Sequence, residues 1–166
     1  KVGCEAGTYI RTLCHDMGDA LCIGAHMVEL RRTKIAHFTE EEAVTLHDLK
    51  DAFVFWKENG DEEHIRKAVV PMERLLDHLP KIVVKDSAVD AICHGANLAL
   101  PGIVGLDSSI DKNDTVAMIS QKGEGIALGK TLMTSKEIQE RDEGMAVKTE
   151  RVLMPKGTYP KMWRGK

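Results

Sequence analysis

Arg11 is the residue of this chain whose type and place most invite chemistry. Ile10, Leu13, Cys14, Met17 and Leu21 recur at helical spacing and predict one buried stripe, and Arg11 lies beside it, one turn into the helix. A guanidinium held there keeps its proton, so it needs a carboxylate or a phosphate. A carboxylate beside such a cation stays ionised, as a nucleophile or base requires. Asp16 and Glu5 are near in sequence but not at i,i+4 spacing from Arg11. His15 is at that spacing, and it is basic. A surface arginine in a loose salt bridge has the same sequence signature, so the spacing alone leaves both readings open.

Other chemically capable residues give weaker patterns. The seven histidines are scattered without metal-ligand spacing, and a lone histidine such as His26 reads as structural. Cys4, Cys14, Cys22 and Cys93 form no CxxC pair, so neither a zinc site nor a disulfide framework is expected. They read as small core residues of a chain kept in a reducing compartment. Gly123 and Gly125 lack the Lys-Ser/Thr that follows in a phosphate loop, and they fall in a hairpin.

The elements that must position these residues follow from capping and breaking signals. Thr8 can cap the first helix, Gly18 weakens it and Gly24 ends it. Residues 25–32 alternate and predict a strand. Thr39 to Glu42 is a capping box before Leu46, Leu49, Phe53 and Trp56, again at helical spacing. Asn59-Gly60 breaks that helix, a second runs from Asp61 to Val69, and Pro71 opens a third over 72–78. Leu79-Pro80 is the best domain boundary, because the texture then turns strand-like. Ile82 to Val84 is a strand, and Asp86 caps a helix over 87–94 that Gly95 ends. Leu98 to Ile103 is a tight apolar turn. Residues 115–120 and 126–133 flank a hairpin turn, Thr134 to Glu137 is a second capping box, and 145–154 is a last strand. Short strands with glycine turns predict a small barrel of about 70 residues.

The charge is unevenly spread. The net charge is −3, yet residues 1–80 hold ten Lys and Arg against fifteen Asp and Glu, and residues 81–166 hold thirteen against eleven. Residues 39–63 carry nine acids against Lys50 and Lys57, a surface unsuited to RNA that is either solvated or a dock for a basic protein. Residues 148–166 carry six Lys and Arg against Glu150 alone, which suits a polyanion or a solvated terminus. Hydrophobic residues make up 43% and charged residues 30%, which excludes a disordered chain, and no apolar run approaches a membrane span.

Two runs carry a family resemblance. Gly7-Thr8-Tyr9-Ile10-Arg11-Thr12-Leu13, followed by Leu30-Arg31-Arg32-Thr33, is similar to the RNA pseudouridine synthases that include the bacterial tRNA uridine-55 enzyme and dyskerin. Cys4-Glu5-Ala6, and Gly24-Ala25-His26-Met27 before Glu29, look closer to the archaeal and eukaryotic branch, the catalytic subunit of box H/ACA ribonucleoproteins. His94-Gly95-Ala96-Asn97-Leu98, Pro101-Gly102-Ile103 and the hairpin through Gly125, Leu128 and Gly129 resemble a PUA domain, an RNA-binding pseudobarrel.

The resemblance implies an α+β chain. Residues 1–80 would be the C-terminal piece of the mixed α/β catalytic domain, 81–155 the PUA domain, and 156–166 a basic tail, with Tyr159 to Trp163 folded back on the catalytic part or loose. It implies that Arg11 pairs with the catalytic aspartate, that Tyr9 lines the same pocket, and that Leu30 packs under the target base. The chemistry implied is conversion of uridine to pseudouridine without metal or cofactor. RNA contacts would fall on His94, Gly95, Ala96, Leu98, Pro101 and Gly102, with Lys130, Lys148 and Arg151 reaching phosphates. Partners would be H/ACA guide RNA, tRNA or rRNA, and small ribonucleoprotein subunits, with no membrane, in the cytoplasm or a eukaryotic nucleolus. The family aspartate sits in an upstream Gly-x-Leu-Asp motif. Gly105-Leu106-Asp107 has those letters but follows the arginine motif, so Asp107 reads as a loop residue, and the chain alone is expected to be inactive.

Overall fold

The computed structural model describes residues 1–162. The chain forms two compact units, Lys1–Ala43 and Val44–Lys166.

The first unit is built on α1 (Ile10–Ala20) and a two-residue-a-side hairpin, β1 (Lys34–Ile35) with β2 (Phe38–Thr39). Tyr9, not Thr8, is the N-cap, with extended backbone and no side-chain cap. The expected stripe is buried in part: Ile10, Leu13 and Cys14 are half-buried, but Met17 and Leu21 are 57% and 64% exposed. The buried point of the helix is Gly18. A Cβ there would stand 2.2 Å from the Ala25 nitrogen. Its carbonyl accepts from both Ile23 and Gly24 N–H as the chain reverses, with Gly24 at φ +67°. Gly18 is therefore required by a close backbone approach, which outweighs its poor helix propensity.

The strand expected over 25–32 does not form. These residues have no ladder partner among the described residues, and pairing begins at Lys34. Alternation favours an extended backbone, but a strand exists only where a neighbour accepts its hydrogen bonds. The Thr39 box does form, with the Glu42 carboxylate accepting from Thr39 N–H at 3.2 Å, yet it closes just a 3-10 turn over Glu40–Glu42.

The long helix starts later, at α2 (Leu46–Asn59) in the second unit. Its own box is reciprocal: Thr45 Oγ accepts from Asp48 N–H at 3.1 Å, and the Asp48 carboxylate accepts from Thr45 N–H at 3.0 Å. The Thr45 hydroxyl, which donates to the Asp48 carboxylate at 2.7 Å, and then the Thr45 N–H hold the Asp48 carboxyl below the usual carboxylate range. Gly60, left-handed at φ +71°, ends the helix. α3 (Glu63–Ala68) follows, then a 3-10 turn, Met72–Leu76, in place of the longer helix expected over 72–78.

Six strands complete the unit: β3 (Lys81–Val84), β4 (Leu98–Ala99), β5 (Ile103–Leu106), β6 (Thr115–Ser120), β7 (Gly125–Thr131) and β8 (Met145–Val152). They form one sheet in the order β4-β8-β7-β6-β3-β5, with β3 parallel to β6 and the other pairs antiparallel. The two edge strands, β4 and β5, are joined by the three-residue turn Leu100–Gly102. A six-stranded sheet whose edges are tied by so short a link must curl into a near-barrel. Its core holds Ile82, Val84, Met118, Ile126 and Val147, with Val89 and Ile92 from α4 (Asp86–Cys93). α5 (Ser135–Glu140) adds Ile138 and is opened by the Thr134/Glu137 box.

Two buried hydroxyls are satisfied, Thr131 Oγ donating to the Asp111 carbonyl at 2.5 Å and Ser135 Oγ to that of Ser108 at 2.8 Å, whereas Asp86 Oδ1 is buried without a hydrogen-bond partner. Of the cysteines, Cys93 alone is a core residue, and burial pushes its thiol up; Cys4 and Cys22 are exposed. No helix among the described residues is long and apolar enough to cross a membrane.

Candidate arginine site and nucleic-acid interface

In the first unit, Tyr9 is 69% exposed at the mouth of α1, and Arg11 is exposed in its first turn. No hydrogen bond or ion pair among the described residues uses Arg11. Leu30 is 53% exposed on the irregular segment before β1. That segment is held by its neighbours: Arg31 Nε donates to the Glu40 carboxylate at 2.7 Å, and Glu40 N–H donates to the Thr33 carbonyl. The two motifs thus present an unpaired guanidinium, an aromatic edge and an apolar side chain to solvent. Each is available to bind, because none is consumed by the unit's own packing.

Asp107 is committed elsewhere. Its carboxylate accepts from Lys81 N–H at 2.8 Å, and its own N–H donates to the Lys81 carbonyl, which closes the end of the β3–β5 ladder. It is a structural loop residue of the barrel.

In the second unit a groove of about 630 Å³ lies against α4, lined by Ser87, Asp90, Ala91, His94, Gly95, Ala96 and Lys161. The helix ends at His94, and Gly95 takes the left-handed conformation at φ +90°. This frees the backbone of 94–97 to run exposed along the groove. His94 Nδ1 sits 2.8 Å from the Asp90 carbonyl. Two bonds from β8 fix the run: Thr149 Oγ donates to the Ala96 carbonyl at 2.7 Å, and Thr149 N–H to Asn97 Oδ1 at 3.0 Å. Sequence reading quoted Asn97 but missed Thr149 and their pairing, since they are 52 positions apart and nothing local marks them as partners.

The remaining candidates divide. His94, Gly95 and Ala96 line the groove. Leu98 does not, being 1% exposed in the core, so it supports the run from beneath. Pro101 is exposed, and Gly102 packs under it, where a Cβ would meet Leu98 Cδ1 at 2.9 Å. Lys130 and Lys148 are direct cross-strand partners of β7 and β8, both exposed. Neither enters an ion pair among the described residues. Arg151 stands opposite Leu128 on the same strand pair. Gly129 makes this register possible: a Cβ there would meet the Lys148 carbonyl oxygen and Val147 Cγ1 at 2.6 Å, where the ladder shifts by a bulge.

The tail, expected to fold back on the catalytic part or lie loose, does otherwise at Tyr159. Tyr159 is buried in the barrel core. Trp163 lies outside the described residues.

Residues 11–77 match the tRNA pseudouridylate synthase B C-terminal domain, and residues 80–153 match the PUA domain. A probable tRNA pseudouridine synthase B from Methanopyrus kandleri is 60% identical over 163 residues, covering 98% of this chain and 48% of the relative. The protein of the same description from Methanocaldococcus jannaschii is 57% identical over 166 residues, 100% of this chain and 49% of the relative. The chain therefore spans about half the length of the curated relatives it matches. Among solved structures, the archaeal box H/ACA Nop10–Cbf5 complex superposes with a TM-score of 0.89 at 57% identity, covering 96% of this chain and 52% of that one. An H/ACA ribonucleoprotein bound to a substrate RNA containing 2′-deoxyuridine gives 0.87 at 55%, covering 96% and 50%. With both domains matched in order along one chain, it carries the tRNA pseudouridylate synthase B C-terminal domain followed by the PUA domain, and its relatives over that length are probable tRNA pseudouridine synthases B and Cbf5.

Proposed function

We propose that this chain serves an RNA pseudouridine synthase, with its PUA domain gripping the 3′ end of a guide RNA (ACA) or a tRNA (CCA) and its first motifs completing the isomerisation site. In the reaction the uracil N1–C1′ bond breaks and a C5–C1′ bond forms. The C5 proton leaves and N1 gains one. Arg11 holds the nucleophilic aspartate ionised. Tyr9 and Leu30 pack the base once it leaves the stack. The aspartate is supplied from outside these 166 residues, because Asp107 is engaged with Lys81. The working partners are RNA and small ribonucleoprotein subunits, and the working place is the cytoplasm.

The observation that carries the RNA reading is the Lys130–Lys148 pair. Like charges directly opposite on neighbouring strands destabilise a sheet. Two such lysines without an acid among the described residues are what a polyanion-binding face needs, as the salt-dependent capture of phosphates requires. A charge reversal tests it: Lys130→Glu with Lys148→Glu is expected to weaken binding of a single-stranded RNA ending in ACA at least tenfold at low salt. Unchanged affinity would remove the PUA reading. For the catalytic half, Arg11→Ala in a protein spanning the full length of the relatives is expected to abolish release of the uridine C5 proton while RNA binding persists.

A second reading rests on α2. Phe55 is 50% exposed on the helix face that carries Asp48, Asp51 and Glu58, while Phe53 and Trp56, 47% and 42% exposed, lie on the other side of the helix. Such a face suits a basic, apolar protein surface, in keeping with a ribonucleoprotein subunit.

A further inference from the structure

The chain after β8 is an ordered arm. Leu153 and Met154 N–H both donate to the Ile126 carbonyl, and Thr158 Oγ donates to that of Pro155 across a turn with Gly157 at φ +82°. The arm ends on Tyr159, whose ring is 7% exposed and whose hydroxyl donates to Glu124 Oε2 at 2.5 Å. Ser120 Oγ donates to the same oxygen at 2.8 Å, and Lys122 Nζ stands 5.4 Å from the Tyr159 ring centroid. So one tyrosine is gripped by a carboxylate and a cation from the β6–β7 turn and buried in the barrel core. Two residues on, Lys161 is part of the groove wall beside Ser87, Asp90 and His94. Two residues span at most about 7 Å, so the anchor at Tyr159 dictates where Lys161 can stand. Lys161 makes no ion pair with the described residues; Asp90 faces His94 instead, at 3.5 Å.

We infer that Tyr159 is a positioning residue that delivers the Lys161 ammonium to the α4 groove, where it contacts an RNA phosphate. The inference rests on the RNA-binding reading above. It gives the 153–161 arm a role in recognition: the β6–β7 turn, distant from the groove in sequence, tunes affinity through the tail.

The test uses the whole 166-residue chain and a fluorescein-labelled single-stranded RNA ending in ACA, titrated by anisotropy across a KCl series. Lys161→Ala is expected to weaken binding roughly three- to tenfold at low salt and to reduce the slope of log K against log salt by about 0.7, one phosphate contact. Tyr159→Phe keeps the ring but loses the bond to Glu124, and should reproduce that slope change. Combined with Lys161→Ala it should add nothing further. Additive losses would mean that Tyr159 acts through the fold and not through Lys161. An unchanged slope, or tighter binding, in Lys161→Ala would overturn the contact itself, and this exposed substitution decides the matter even if Tyr159→Phe unfolds. Absence of salt-dependent binding by the unaltered chain would instead sink the RNA-binding reading on which the inference stands.

Discussion

Glu124 shows how one side chain can carry two duties. Its oxygen accepts from Tyr159 first and from Ser120 second, and both bonds hold the carboxyl below its ordinary value of 4.5. A carboxyl lowered on folding stabilises the native state above that ordinary value, and the contribution is lost as pH falls through the depressed one. Wild type should therefore be more stable than Glu124→Gln at neutral pH, with the gap closing below about pH 4.5, as read by urea unfolding at several pH values. A gap independent of pH would mean the carboxylate charge is irrelevant to the latch. Arg11 is the opposite case. It is exposed and unpaired among the described residues, so Arg11→Ala should leave the melting temperature nearly unchanged, within about 0.5 kcal/mol. A large loss of stability would argue that the arginine is structural.

Among the elements, the β7–β8 ladder is the most exacting. A Cβ on Gly129 would meet the Lys148 backbone carbonyl as well as Val147 Cγ1, so Gly129→Ala must displace β8. We expect destabilisation of about 1–3 kcal/mol by urea unfolding, with RNA affinity falling as the Lys130–Lys148 register is disturbed. Thr149→Val removes the hydroxyl bond to the Ala96 carbonyl while keeping the backbone bond to Asn97. Its expected cost is about 1 kcal/mol, together with weaker RNA binding. Full retention of binding would mean that the 94–97 run is rigid without β8. The same ladder separates what was legible from what was not. The strand 115–120 follows from composition and turn signals, as does the hairpin between β6 and β7, and the strand expected over 145–154 forms over 145–152. The bulge at Gly129 has no local signal, because it arises from two strands meeting.

For the whole molecule, charge is divided along the chain. The acids of 39–63 sit on α2, α3 and the turn before them, and the cations of 148–161 on β8 and the arm. RNA affinity should therefore decline linearly on a log–log plot with salt, while Asp48→Asn with Asp51→Asn leaves it unchanged or slightly tighter. A marked loss of RNA binding in that pair would place RNA on the acidic helices and overturn the division. The β6–β7 turn integrates the second unit: Glu124 holds the arm, and Gly125 N–H donates to Glu73 Oε1 at 3.1 Å, tying the 72–76 turn to the same hairpin. A Cβ on Gly125 would stand 3.0 Å from Leu76 Cδ1 and 3.3 Å from Met72 Cε, a tight fit against the ends of two flexible side chains.

Local sequence specifies the helix opened by the Thr134/Glu137 box, the apolar strands of the barrel and the motifs that carry the family, whereas the Thr39 box marks a 3-10 turn and α2 starts at the Thr45/Asp48 box beyond it. Those depend on interactions within a few residues, and their side-chain types state them. The tertiary structure decided the rest. It denied residues 25–32 a strand partner, buried Leu98 beneath the groove it was expected to line, drew Thr149 to Asn97, and brought Tyr159 into the barrel core. Each of these joins groups far apart along the chain. Such contacts form where burial and hydrogen-bond satisfaction across elements outweigh local preference, and no local pattern encodes that balance.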